Sequence, residues 1–238
     1  MNSANSFLWI VIPYVATAIF VASHIWRYRR DQFGWTCHST QVLESRWLAW
    51  GSILFHYGAL AAIAGHVLGI LVPVSVTDAL HISEQYYHIV SAGGGSVASV
   101  AVLAGLAILI GRRLAVRRVW VTTTYVDLAV YLLLAVIIVL GAWDTLVTNT
   151  LGGGYDYRRT VAEWFRSLVV FNPRPQLMAT APFLYQAHAT AAWLLYALWP
   201  FSRLVHVWSV PFQLPRTPLH PLPAAVCPDA AMTRDSHG

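Results

Sequence analysis

Five stretches of this chain are long and apolar enough to cross a lipid bilayer, at roughly 7 to 26, 47 to 73, 86 to 110, 123 to 147 and 182 to 209. Hydrocarbon gives the backbone no hydrogen-bond partner, so a crossing segment of about 20 residues must satisfy its own N–H and C=O groups, which an α-helix does internally. The pattern predicts an all-α integral membrane bundle of five transmembrane helices, here stretches I to V, filling residues 1 to 210. Only 11% of residues are charged and 57% are apolar, whereas about a quarter of a soluble domain is charged, which excludes that class. The N-terminal MNSANS carries no positive charge ahead of its apolar run, so stretch I is expected to be kept and not cleaved as a signal peptide. Residues 211 to 238 read as a cytoplasmic tail, poorly ordered.

Arginine sets the orientation. Arg27, Arg29, Arg30 and Arg46 lie between stretches I and II, Arg112, Arg113, Arg117 and Arg118 between III and IV, and Arg203 and Arg216 flank the end of V. The other side holds only Arg158, Arg159, Arg166 and Arg174, in the long connection from IV to V, where charge governs topology least. The N-terminus is expected outside and the C-terminus in the cytoplasm, in a multi-pass protein of the bacterial cytoplasmic (inner) membrane. The net charge of +5 follows from these arginines, and no nucleic-acid partner is expected.

Four histidines stand inside two of the apolar stretches: His56 and His66 in II, and His188 and His206 in V. An imidazole in hydrocarbon is costly unless its ring nitrogens find partners. Stretches II and V run antiparallel in this topology, so His56 and His206 lie toward the cytoplasm and His66 and His188 toward the outside. A lone intramembrane histidine is as readily a hydrogen-bonded structural residue as a ligand, but four that pair at matched depths point to two bis-histidine b-type haems, His56 and His206 on the inner iron and His66 and His188 on the outer. On ideal helices the pairs are separated by about 15 Å on II and about 27 Å on V, a mismatch that Pro200 can relieve by bending V. Cys37 and Cys227 form no C-x-x-C or C-x-x-C-H, which excludes covalent haem attachment and a cysteine zinc cluster.

Other features are less specific. Gly58, Gly65 and Gly69 on II, with Gly93, Gly94, Gly95 and Ser96 on III, either admit a macrocycle or quinone ring or simply let helices pack closely. Arg203 lies one turn from His206 and either pairs with a haem propionate or snorkels to the headgroups. His24, His38, His220 and His237 read as interfacial or solvated residues, as do His81 and His88 unless the outer loop has a role.

The segments WPFSRLVHVWSVPF (199 to 212), FHYGALAAIAGHVLGILVP (55 to 73) and RRVWVTTTYVDL (117 to 128) resemble those of the gamma subunit, the diheme cytochrome b, of membrane-bound respiratory nitrate reductase. The resemblance runs from stretch I to the end of V. It implies five helices, haem ligands at His56, His66, His188 and His206, quinol oxidation near the outer haem, and partner subunits on the cytoplasmic side. Those partners are an iron-sulfur beta subunit and a molybdenum-containing alpha subunit that reduces nitrate. The family pattern has a lysine near the outer start of III; this chain has none and offers Gln85, Tyr86, Tyr87 and His88 there. The quinol-site candidates are accordingly Gly65, Gly69, Gln85, Tyr86 and His88. Two other functions are weighed against this: a nitrite oxidoreductase gamma subunit or related anchor with different electron flow, and a haem-free transporter or anchor in membrane lipid.

Overall fold

The computed structural model describes residues 3–30, 46–205 and 207. His206 and the tail from 211 to 238 lie outside the described residues, as do Cys37 and Cys227. Every regular element among the described residues is helical. Four are long and apolar enough to span a membrane: α1 (Ser3–Arg30), α2 (Arg46–Leu71), α4 (Glu84–Ala115) and α6 (Tyr125–Leu151), matching stretches I to IV. Between them lie short α3 (Val74–Ala79) and α5 (Arg117–Trp120). After α6 come α7 (Val161–Val169), α8 (Pro175–Ala179) and α9 (Phe183–Leu198).

Local chemistry fixes the ends of these helices. Ser83 caps α4 by accepting from the Tyr86 N–H at 3.2 Å. Thr124 and Asp127 form a reciprocal capping box at the start of α6, two otherwise orphaned N–H groups being satisfied at once.

Stretch V departs from expectation. One helix is expected over 182 to 209, but α9 ends at Leu198 and the chain continues as two short 3₁₀ turns, Trp199–Phe201 and Arg203–Val205, separated by extended Ser202, before Val207 is helical again. Pro200 is the cause: it has no N–H to donate and its ring clashes with the preceding turn. The facial register from His188 toward position 206 is therefore interrupted, and the ideal-helix spacing of about 27 Å does not apply.

The helices pack as an arc in the order α1, α9, α6, α4, α2. Its tightest joint is α2 against α4. A Cβ on Gly58 would lie 2.6 Å from the backbone N of Val102, and one on Gly105 would lie 2.3 Å from the backbone N of Phe55. Only glycine permits that approach, so Gly58 is a packing residue. Among the described residues no comparable packing joins α2 to α9; the two face each other across the arc. At the end of the bundle that holds the α1 N-terminus, α7 spans the gap, its Trp164 buried against Trp9 of α1 and its Arg166 donating to the Ile70 carbonyl of α2 at 2.7 Å.

The arginine-rich ends gather at one end of the bundle. Arg27 donates to the Pro200 carbonyl at 2.6 Å, Arg113 to Thr123 at 2.8 Å, and Arg203 meets Asp127 at 2.8 Å. Arg158, Arg166 and Arg174 lie at the other.

Candidate functional site

His66 on α2 and His188 on α9 come together, as the antiparallel topology requires. Their ring centroids are 6.0 Å apart and the ring planes differ by 14°. Two imidazoles binding one metal through bonds of about 2 Å have centroids about 6 Å apart, so the pair is spaced as axial ligands of one iron.

Each ring is oriented through its other nitrogen. His66 Nδ1 lies 2.7 Å from the Ala62 carbonyl oxygen, and His188 Nδ1 lies 3.0 Å from that of Ile137. A carbonyl only accepts, so Nδ1 carries the proton and the lone pair is left on Nε2, the tautomer a metal-binding imidazole needs. His56 follows the same rule, with Nδ1 2.7 Å from the Ser52 carbonyl oxygen. Its expected partner, His206, falls outside the described residues.

The glycines near His66 differ in how closely they are packed. A Cβ on Gly65, Gly93 or Gly94 would meet nothing within 4 Å, so the backbone beside His66 and on α4 is open to close approach. Gly95 is different: a Cβ there would lie 2.9 Å from Thr145 Cγ2, which makes it a packing residue between α4 and α6. Three helices are locally widened into π-turns, α1 over Phe7–Val11, α2 over Val67–Leu71 directly after His66 and α6 over Asp144–Leu151; such widenings often accompany functional sites.

The quinol-site candidates separate into two groups. Gln85 and Tyr86 are exposed at the start of α4, Tyr86 at 63%. Gly69 is buried beneath Tyr157, whose hydroxyl would lie 3.1 Å from a Cβ there, and His88 Nε2 lies as close to a Cβ built on Gly154. Burial, reinforced by the neighbouring Tyr87, pushes the Tyr157 phenol well above the ordinary tyrosine range. Arg158 sits 3.8 Å over the Tyr87 ring, pairs with Glu84 at 3.2 Å and donates to Thr77 at 2.9 Å. The connection after α6 thus lays Tyr157 over Gly69, on the turn that follows His66, with Tyr87 and Ser91 of α4 beside it. Tyr157 was not among the sequence candidates, since a tyrosine in a polar connection carries no signal of which helix it will cover.

Arg203, the propionate candidate, forms its ion pair with Asp127 and donates to the Thr122 carbonyl at 3.2 Å. Asp127 also lies 3.9 Å from Arg113. This carboxylate holds the loop between α4 and α6 against the 3₁₀ turn after α9.

Bundle and paired histidines together define a helical protein with membrane-spanning segments and two imidazoles brought together between two of its helices. The nitrate reductase gamma subunit family model matches residues 5–220, and the chain belongs to that family. It is 42% identical over 210 residues to the nitrate reductase gamma chain of Bacillus subtilis, covering 88% of this chain and 94% of that one. It is 33% identical over 215 residues to the respiratory nitrate reductase 1 gamma chain of Escherichia coli, covering 90% and 94%. A nitrate reductase-like protein NarX of Mycobacterium tuberculosis is 46% identical over 204 residues, 85% of this chain but 31% of that longer protein. The chain is therefore a membrane electron-transfer subunit of a nitrate reductase, one part of a multisubunit oxidoreductase.

Proposed function

We propose that this subunit oxidises a membrane quinol near its outer face and passes the electrons inward to partner subunits on the cytoplasmic side of the bacterial inner membrane. The observation that carries this reading is the His66 and His188 pair, two imidazoles of the same tautomer at the separation of axial ligands. His66 and His188 would hold an outer b-type haem and His56, with His206, an inner one. Haem iron held by two histidines has no open position and supplies one-electron transfer, not oxygen chemistry.

The remaining work falls to the chain. Gly65 lets a ring approach the backbone beside His66, while the Tyr157, Tyr87 and Ser91 hydroxyls lie between that place and the outer aqueous phase. Quinol gives up two protons and two electrons. A hydroxyl string passes the protons outward by accepting one as it donates another, and a phenol whose ionisation is suppressed stays protonated and can do so. Arg203 and Asp127 mark the opposite end, where the arginine-rich loops face the iron-sulfur beta and molybdenum-containing alpha subunits implied by the family. Electrons moving inward while protons stay outside separate charge across the membrane.

The test is quinol-driven reduction of the haems in the assembled complex. The reading requires a quinone photolabel to attach near Gly65, Gly69 or Tyr157, and labelling confined to the His56 end would contradict it.

A further inference from the structure

Resting on the reading of His66 and His188 as haem ligands, we propose that Gly141 of α6 is the positioning residue of the outer haem, setting the orientation of the His188 imidazole from a neighbouring helix.

The three described histidines of the proposed haem sites are not held alike. His56 and His66 bond carbonyls of their own helix one turn back, at Ser52 and Ala62, so their rings are oriented wherever α2 goes. His188 reaches across to α6 and bonds the Ile137 carbonyl at 3.0 Å. In an α-helix that carbonyl also accepts the N–H of the residue four positions on, which is Gly141. The ring therefore lies over the Ile137 to Gly141 turn, and the missing side chain at 141 is what lets it lie there. A Cβ on Gly141 would be 2.9 Å from His188 Cε1 and 3.3 Å from Nδ1. An unliganded imidazole could swing away at small cost, but one bound to iron through Nε2 and to Ile137 through Nδ1 can do so only by losing or bending one of those bonds. The open space at Gly111, with nothing within 4 Å, shows that a glycine in these helices is not by itself a contact residue.

The experiment compares the assembled complex carrying Gly141→Ala with wild type, with His188→Ala and with Gly95→Ala. The last crowds Thr145 of the same helix to the same 2.9 Å without meeting a ligand. Haem content, low-spin electron paramagnetic resonance signals and redox titrations are read for both haems. Gly141→Ala is expected to change the signal and midpoint of the one haem that His188→Ala removes, leaving the other unmoved, while Gly95→Ala changes neither. Unaltered spectra in Gly141→Ala, or the same change in Gly95→Ala, would overturn the role of Gly141 while leaving the haem reading intact. Retention of both low-spin haems in His188→Ala would overturn the haem reading itself and the proposal with it. If Gly141→Ala fails to assemble, it is combined with His188→Gly, which removes the ring the new methyl meets. Assembly restored to the level of His188→Gly alone supports the proposal, and continued failure contradicts it.

Discussion

The imidazoles of His66 and His188 lie 6.0 Å apart and nearly parallel, although 122 positions separate them in sequence and their helices have no close backbone packing. Each is held from behind by a carbonyl. The two helices that carry them are positioned by other neighbours, α2 by α4 and α9 by α1 and α6, so the pair depends on the whole arc being correctly closed.

The joint between α2 and α4 should be the least tolerant point of that arc. Gly105→Ala places a methyl 2.3 Å from backbone N and 2.6 Å from Cα of Phe55, and backbone cannot swing away as a side chain can. A loss of about 2–3 kcal/mol is expected for such overpacking. Gly111→Ala, which meets nothing, should stay within about 0.5 kcal/mol of wild type. Thermal unfolding in detergent of the two variants measures the difference.

Asp127 should be the electrostatic anchor of the arginine-rich end. Its side chain is buried, caps α6 and meets both Arg203 and Arg113. Asp127→Asn keeps the shape but removes the charge, at an expected cost of about 2 kcal/mol after allowing for the partly exposed Arg203. Chemical denaturation at moderate and high salt checks this; little salt dependence is expected for a buried pair.

Tyr157→Phe and Tyr87→Phe each remove one hydroxyl from the cluster beside Gly69. Quinol-driven haem reduction is expected to fall about tenfold or more in each, with haem content unchanged. Tyr86→Phe, at an exposed position, should leave the rate unaltered. Stopped-flow reduction by a soluble quinol analogue distinguishes the three.

The segment over residues 111–121, the end of α4 with α5, lies at the arginine-rich end together with Arg203. It should be protected from protease in the assembled complex and cleaved in the isolated chain. Equal cleavage in both would place the partner face elsewhere.

How much of this was legible in the sequence follows from the physics of each feature. Spans I to IV were readable because hydrocarbon admits few alternatives to a helix and arginines flank them, whereas the caps at Ser83 and Thr124 emerged only from the structure. The meeting of His66 with His188 was readable because antiparallel topology fixes depth. The end of V at Leu198 was only half legible: Pro200 signalled a bend, but proline in a membrane helix is compatible with either a kink or a break. Glycines could not be sorted by sequence at all. Gly58 and Gly105 make backbone contacts, Gly65 makes none and Gly141 meets a ring, differences set by the rotation of each helix about its axis. The covering of Gly69 by Tyr157 likewise depends on how a connection of irregular conformation folds back, which hydrophobic periodicity does not encode.

Haem-resolved spectroscopy of single histidine variants tests the central claim most directly. Low-temperature paramagnetic resonance of the purified complex is recorded for His56→Ala, His66→Ala, His188→Ala and His206→Ala. The account predicts two low-spin haems in the wild-type protein, with His66→Ala and His188→Ala each abolishing the same one and His56→Ala and His206→Ala the other. Loss of one and the same signal in His56→Ala and His188→Ala, with the other signal kept, would contradict it.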